Sequence, residues 1–282
     1  MSATYGILGW PVEHSRSPAM QNAAFAARGL DATYVRFPVH PDDVAQAIAG
    51  LRALGIRGAN VTVPHKEAVI DLLDEVTPEA RAIGAVNTIV RDGERLLGHN
   101  TDAEGLTRSL EEAGVNVVGS NVLVIGAGGA ARAAVAGLAK RGAARVCVAA
   151  RRFEQAGQLV EALSDVCTPC PLVACDLSPL TLSEAMAESH LLVQSTSATL
   201  ATSPDAAAFA ALLPLELMPA KASVVDLVYK PRETSVLAKA RELGLRGVDG
   251  LGMLLHQGAL AFELWTHLPA PVAQMRAALE GP

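Results

Sequence analysis

The sequence predicts an α/β protein: an N-terminal part with a mixed sheet, then a doubly wound Rossmann unit, then C-terminal helices returning to the first part. Three observations carry this expectation. Short apolar runs alternate with helical patterns through almost the whole chain. The run Val122-Leu123-Val124-Ile125 leads directly into Gly126-x-Gly128-x-x-Ala131. At 282 residues, half of them apolar, the chain can bury two cores of about 100–150 residues each.

In the first hundred residues, strand-like runs at 4–8, 32–38 and 59–63 alternate with helical patterns at 18–28, 42–54 and 66–73. Residues 86–90 and 95–99 then read as a hairpin turning at Asp92-Gly93. Thr101-Asp102-Ala103-Glu104 has the form of a capping box opening a helix. Residues 115–120 interrupt both periodicities. A second strand and helix series begins at Asn121, with strand-like runs at 145–149, 171–175, 190–194, 223–228 and 245–248. The expected division is 1–102 for substrate and catalysis, 103–248 for a Rossmann domain with a linking helix over 103–114, and 249–282 for helices packing on the substrate domain.

Composition narrows the function classes. The 23 basic and 29 acidic side chains give a formal charge of −6 and form no basic block, so a nucleic-acid partner is not expected. The N-terminal residues lack the layout of a signal peptide, and the Ala-rich stretch 130–150 is broken by Arg132, Lys140, Arg141 and Arg145. A cytoplasmic protein with no membrane contact is therefore expected. Cys147, Cys167, Cys170 and Cys175 are too few for a disulfide framework. Cys167-x-x-Cys170 has no second pair to complete a zinc shell, so reduced thiols and no metal are expected.

The glycine loop satisfies the context that a lone motif lacks, because it follows a strand and opens a helix. Gly126 permits the tight turn, Gly128 lets the backbone approach a pyrophosphate, and Ala131 keeps helix and strand close. Gly126-Ala127-Gly128-Gly129-Ala130 is thus the expected dinucleotide cradle. Cofactor choice is read at the end of the next strand, where NAD enzymes place an acid. Here Arg151 and Arg152 follow Ala150. Their guanidiniums suit a 2′-phosphate, so NADP is expected over NAD.

Hydride transfer to a carbonyl also needs a donor at the developing oxyanion. Asn60-Val61-Thr62-Val63-Pro64-His65-Lys66 places Thr62 and Lys66 at the carboxyl edge of a strand, the usual ligand side. Taken alone, Lys66 reads as a solvated lysine at a helix start and Asp102 as a capping residue. Ser17-Pro18 reads as an N-cap with Pro at the first helical position. His14 and His65 read as local hydrogen-bonding residues.

A resemblance raises these residues together. Gly9-x-Pro11-Val12-x-His14-Ser15-x-Ser17-Pro18, Asn60-Val61-Thr62-Val63-Pro64-x-Lys66, Gly84-Ala85-Val86-Asn87-Thr88 and Asn100-Thr101-Asp102 resemble successive motifs of the shikimate dehydrogenase family. The likeness continues through Gly126 to Arg132, Asp226-x-x-Tyr229-x-Pro231-x-x-Thr234 and Asp249-Gly250-x-Gly252-Met253-Leu254-x-x-Gln257. It spans nearly the whole chain in order.

The resemblance implies NADP-dependent, reversible reduction of 3-dehydroshikimate to shikimate in the chorismate pathway. It implies a catalytic Lys66–Asp102 pair and substrate contacts from Ser15, Ser17, Thr62, Asn87, Tyr229 and Gln257. On the cofactor side it implies Arg151, Thr196, Gly250 and Met253, the last near the nicotinamide. Two places depart from the family pattern: Ala150-Arg151-Arg152 replaces Asn-Arg-Thr, and Gln194-Ser195-Thr196-Ser197 replaces Asn-Ala-Thr-Ser. Arg152 is expected to take over the lost hydroxyl contact. The rival expectations are a quinate/shikimate dehydrogenase with relaxed cofactor use and a non-catalytic ligand-binding relative. A monomer or homodimer is expected.

Overall fold

Alternating and continuous apolar runs become strands, and the Ala- and Leu-rich stretches between them become covering helices. A computed structural model describes residues 2–281. By spatial proximity the chain divides into two units, residues 1–105 with 254–282, and residues 106–253.

The first unit begins β1 (Ala3–Gly9), α1 (Ser17–Ala27), β2 (Ala32–Pro38), α2 (Val44–Ala53), β3 (Gly58–Val61), β4 (Glu75–Val76) and α3 (Pro78–Ile83). It continues with β5 (Thr88–Asp92), β6 (Arg95–His99) and the start of α4 (Asp102–Glu112). Its six-stranded sheet has the order β2-β1-β3-β5-β6-β4. β1 pairs in parallel with β2 and β3, while β5 runs antiparallel to both β3 and β6. The sheet is therefore mixed, as expected. Leu8, Ile48, Ala59, Val61, Ile89 and Leu96 belong to the core on one side of it.

Two local expectations change. Residues 66–73 do not form an α-helix but one turn followed by a 3-10 segment, Ile70–Leu72. The reason lies across the fold: the Lys66 carbonyl accepts from Val86 N at 2.8 Å, while the Ile70 N–H that an α-helix would bring to it bonds the Glu67 carbonyl at 3.2 Å. In the hairpin, Asp92 pairs with Arg95, so the turn is Gly93-Glu94, with Gly93 at φ +59° supplying the left-handed conformation.

The second unit holds β7 (Asn121–Ile125), α5 (Gly129–Lys140), β8 (Arg145–Ala149), α6 (Phe153–Leu163), β9 (Leu172–Cys175) and α7 (Pro179–Glu188). β10 (Leu191–Gln194), α8 (Ala206–Leu212), β11 (Ser223–Asp226), α9 (Ser235–Glu242) and β12 (Arg246–Val248) complete it. The wholly parallel sheet has the order β12-β11-β10-β7-β8-β9. This is the doubly wound Rossmann order, reversing direction between β7 and β10. Val122 and Val124 enter the core on one face, Leu123 and Ile125 the core on the other. Burial on both faces explains why these strands read as unbroken apolar runs.

The chain ends in α10 (Leu251–Thr266) and α11 (Val272–Glu280), and residues 254–282 belong to the first unit. α11 packs along α1, and Arg16 donates to the Leu279 and Gly281 carbonyls at 3.0 and 2.6 Å. A guanidinium at a helix C-terminus satisfies carbonyls that the helix leaves open. Trp265 donates from Nε1 to the Ile89 carbonyl at 2.9 Å. A side chain at Gly58 would overlap the Trp265 ring, so that strand residue is small where the helix approaches. No helix of the described residues is long and apolar enough to cross a membrane.

The cysteines split. Cys147 and Cys175 are joined as a disulfide, a single bridge that the cysteine count does not lead one to expect. Cys147 pairs in register with Val173, two residues before Cys175, so both side chains lie on one face of adjacent strands. Sequence spacing alone does not reveal such a cross-strand neighbour. Cys167 and Cys170 are buried free thiols. Burial, and then the neighbouring Cys170, push the Cys167 thiol up to about 11, and burial also raises Cys170. Both are then protonated and poorly nucleophilic at neutral pH. Iodoacetamide at pH 7 should leave Cys167 and Cys170 unmodified in the folded protein and label both after denaturation, as read by peptide mass. Rapid native labelling of either would contradict the buried placement.

Candidate active site

The site of the first unit grows from the junction of β5, β6 and α4. Asn100 ends the hairpin, and its Oδ1 accepts from the Asp102 and Ala103 backbone N–H groups at 3.0 and 3.2 Å. Its Nδ2 donates to the Ala85 carbonyl at 2.8 Å. Asn100 thus caps α4, while the Thr101 backbone N–H donates to Asn87 Oδ1 at 2.8 Å. The cap fixes Asp102 in the first helical turn.

Asp102 and Lys66 meet there. Lys66 Nζ donates to Asp102 Oδ2 at 2.5 Å, with the side chains only 13% and 5% exposed. The other carboxylate oxygen, Oδ1, accepts from Asn87 Nδ2 at 2.8 Å. Asn87 Nδ2 also faces Thr101 Oγ1 at 2.9 Å and Gln257 Oε1 at 3.4 Å. Gln257 is itself held through Nε2 to the Leu254 carbonyl at 2.7 Å. Lys66, Asp102, Asn87 and Gln257, drawn from four separate stretches of sequence, thus form one connected cluster.

Ser15 and Ser17 form a second group at the start of α1. Both are buried, and Ser15 Oγ accepts from the Ser17 backbone N–H at 3.3 Å. Ser17 is the first helical residue and Pro18 the second, so Ser17 is not the N-cap expected from sequence; the turn through Ser15 puts Arg16 there. Thr62 is half-buried just beyond β3, and a side chain at Gly9 would overlap its methyl group. His65 is buried with Nε2 at 2.8 Å from the Val39 carbonyl, while His14 is exposed.

In the second unit, Gly126 stands at φ +122°, where a Cβ would overlap Ser195 Oγ. The glycine is therefore required on both conformational and steric grounds. Its N–H donates to the Ala149 carbonyl at 2.8 Å. Gly128 is exposed and precedes α5 as its N-cap, leaving the helix N-terminus open beside Ala127, Gly129 and Ala130. Thr196 follows β10 next to this loop and accepts from Ala198 N through Oγ1 at 3.2 Å. Arg151 and Arg152 are both exposed after β8. Gly250 is buried where a Cβ would overlap the Leu227 carbonyl, and Met253 belongs to the core of this unit. Tyr229 is half-buried after β11.

Gln194, off the family pattern, is fully buried. Its Nε2 donates to the Thr196 carbonyl, Thr199 Oγ1 and Asp226 Oδ1 at 3.0–3.2 Å, and its Oε1 accepts from Thr196 N at 2.5 Å. It organises the loop after β10 from beneath. Burial raises the Asp226 carboxyl, against hydrogen bonds from Thr234, the Val228 N–H, Thr199 and Gln194.

Asn60, Thr88, Asn100 and Thr101 are not among the site residues that the sequence points to. A signal is nonetheless present: each is a short polar side chain in or beside an otherwise apolar strand, and all four are buried.

Family models described as the shikimate dehydrogenase substrate binding domain, shikimate / quinate 5-dehydrogenase and the shikimate 5′-dehydrogenase C-terminal domain match residues 7–89, 109–248 and 250–280. A Geobacter metallireducens protein named shikimate dehydrogenase (NADP(+)) is 49% identical over 272 residues, 96% of this chain and 93% of the relative. The chain belongs to the shikimate dehydrogenase family. Two solved members are similar throughout. The Listeria monocytogenes shikimate 5-dehydrogenase, in complex with shikimate and NAD, is 36% identical with TM-score 0.87, covering 97% of this chain and 95% of that one. The Thermus thermophilus shikimate 5-dehydrogenase, in complex with NADP(H) and shikimate, is 38% identical with TM-score 0.84, covering 98% of each chain. The shikimate dehydrogenase family fits the α/β fold and the oxidoreductase class expected from the sequence. The cofactor in the Geobacter relative's name is the one expected from the glycine loop with Arg151 and Arg152.

Replacing Asn100 by Ala removes a helix cap and a buried hydrogen bond together. Asn100→Ala should lower stability by about 1–3 kcal/mol in urea unfolding. An unchanged midpoint would show that α4 does not depend on this cap.

Proposed function

We propose that this chain catalyses the NADP-dependent, reversible reduction of 3-dehydroshikimate to shikimate, the chorismate-pathway step, with Lys66 and Asp102 as its catalytic pair. The observation that carries the reading is the buried Lys66–Asp102 contact, tethered on its second carboxylate oxygen by Asn87. A buried cation and anion so placed are costly unless paired, and their polar edges suit an oxygen that gains charge during reaction.

The glycine loop fits a dinucleotide: Gly126 occupies a backbone position closed to side chains, and α5 offers an open N-terminus beside exposed Gly128. Gly126 through Ala130, Thr196, Gly250 and Met253 would hold NADP, with Arg151 and Arg152 on its 2′-phosphate. When bound, the reduced cofactor supplies a hydride to the carbonyl carbon. Lys66 donates to the carbonyl oxygen as negative charge builds there, and in the reverse direction accepts the hydroxyl proton. Asp102 holds the ammonium in place and accepts from a neighbouring substrate hydroxyl. Asn87, Thr62, Gln257 and Tyr229 supply short polar contacts to the remaining hydroxyls. Ser15 and Ser17, at the start of α1, receive the carboxylate. The chemistry of a polyhydroxylated ring acid matches such a set of donors and acceptors.

The test follows nicotinamide absorbance with shikimate or quinate and NADP or NAD. Turnover is expected with shikimate and NADP. Lys66→Ala and Asp102→Asn should each lower kcat by about 10²–10⁴-fold with the fold intact. No turnover with any pair would defeat the enzyme reading, and preference for quinate would move it to the rival substrate.

Arg151→Ala should raise the KM for NADP on the order of tenfold or more while leaving that for NAD little changed. Equal effects on both would remove the 2′-phosphate from the account.

A further inference from the structure

Behind the Lys66–Asp102 pair runs a buried chain of hydrogen bonds that ends in solvent-inaccessible hydroxyls. Tyr34, Asn60, Asn87 and Thr88 are 1%, 4%, 2% and 0% exposed. Tyr34 Oη donates to Asn60 Oδ1 at 2.7 Å. Asn60 Nδ2 donates to the Asn87 carbonyl and to Thr88 Oγ1, both at 3.1 Å. Thr88 Oγ1 donates to Asn87 Oδ1 at 3.0 Å. Asn87 Nδ2 donates to Asp102 Oδ1 at 2.8 Å.

We infer that the hydroxyls of Tyr34 and Thr88 are positioning groups for the catalytic pair, setting which end of the Asn87 amide faces Asp102. The inference rests on the Lys66–Asp102 reading above. An amide side chain is nearly symmetric in shape and opposite in hydrogen-bonding role at its two ends, so packing cannot orient it; partners of fixed role must.

The fixed roles lie at the ends of the chain. The Asn87 main-chain carbonyl can only accept, so the Asn60 end facing it must be Nδ2, leaving Asn60 Oδ1 for the Tyr34 hydroxyl. With Asn60 donating to Thr88, the single Thr88 proton goes to Asn87 Oδ1 at 3.0 Å in preference to Thr101 Oγ1, the longer contact at 3.2 Å. The Thr101 main-chain N–H reinforces the same end at 2.8 Å. Asn87 Nδ2 is then the end left for Asp102, which accepts from it on Oδ1 and from Lys66 on Oδ2. Reversal of Asn87 would set its oxygen against the Asp102 carboxylate and its NH2 against the Thr101 main-chain N–H, two clashes that donation from the Thr101 hydroxyl would offset only in part. Donation therefore runs one way, from Tyr34 to Asp102, and its first three members, Tyr34, Asn60 and Thr88, are not among the groups that meet substrate.

Thr88→Val keeps the shape and removes the hydroxyl; Thr88→Ser keeps the hydroxyl and removes the methyl. If the hydroxyl positions Asn87, Thr88→Val lowers kcat with shikimate about three- to tenfold, Thr88→Ser stays near the parent, and the KM for NADP is unmoved in both. Tyr34→Phe lowers kcat less, and the Tyr34→Phe/Thr88→Val double variant is no worse than Thr88→Val alone, because both act through one chain. Equal loss in Thr88→Ser and Thr88→Val, or additive losses in the double variant, assigns these residues to packing and overturns the inference. If Thr88→Val does not fold, Tyr34→Phe alone decides by whether kcat falls at constant KM for NADP.

A second readout is independent of turnover: the Asn87 side-chain amide resonances in ¹⁵N-labelled protein. They should be exchange-protected in the parent and in Thr88→Ser and lose protection in Thr88→Val. Unchanged protection in Thr88→Val overturns the inference even in active protein. Inactive parent protein with protected Asn87 protons would remove the function and leave the positioning standing.

Discussion

A carboxylate almost closed off from solvent sits at the head of a helix, and the surrounding first unit is arranged so that it is never without donors. Asp102 needs Lys66 on one oxygen and Asn87 on the other. Lys66 in turn needs the segment after β3 to leave helical geometry, which its carbonyl's bond to Val86 enforces. Asn87 is fixed just before β5 by main-chain bonds from the Val61 N–H and to the His99 carbonyl. Each requirement is met by backbone that the sequence otherwise has little reason to bend. Burying an unpaired charge costs several kcal/mol, so the pairing constrains the scaffold as firmly as the apolar core does.

The second unit depends on backbone approach rather than charge. Gly126 can sit at its angle, against Ser195, only because it lacks a side chain. The same economy recurs at Gly250 against Leu227. Between these points Gln194 ties β10, the loop through Thr199 and Asp226 into one polar knot. Its departure from the family's Asn lengthens a buried strut and does not add an exposed ligand contact.

Much of this is legible in the residues. Strands buried on both faces betray themselves as unbroken apolar runs, so β7, β8, β10 and β11 can be read within a few residues of their ends. The glycine loop is secure because a strand precedes it. Lys66 and Asp102 are ambiguous alone, since a helix start explains each, and only the order of motifs joins them. The 66–73 segment misleads because its helical pattern is real and is overruled by one long-range bond to Val86. Cys147 and Cys175 escape a reading by spacing because register makes them neighbours. Asn60, Thr88 and Thr101 stay unassigned for a related reason: their roles depend on which end of an amide faces which partner, and directionality of that kind has no periodicity to read.

The division of the chain has a consequence for how the protein comes into being. Residues 106–253 are contiguous, so a growing chain holds that unit's entire sequence before α10 is complete. The other unit is discontinuous. Its opening 105 residues must wait for α10 and α11, which bring Trp265 to Ile89 and the terminal carbonyls to Arg16. The unit that holds Lys66 and Asp102 is begun before its neighbour and completed after it, and until α10 is made the strands at Gly58 and Ile89 lack the Trp265 ring that packs on them.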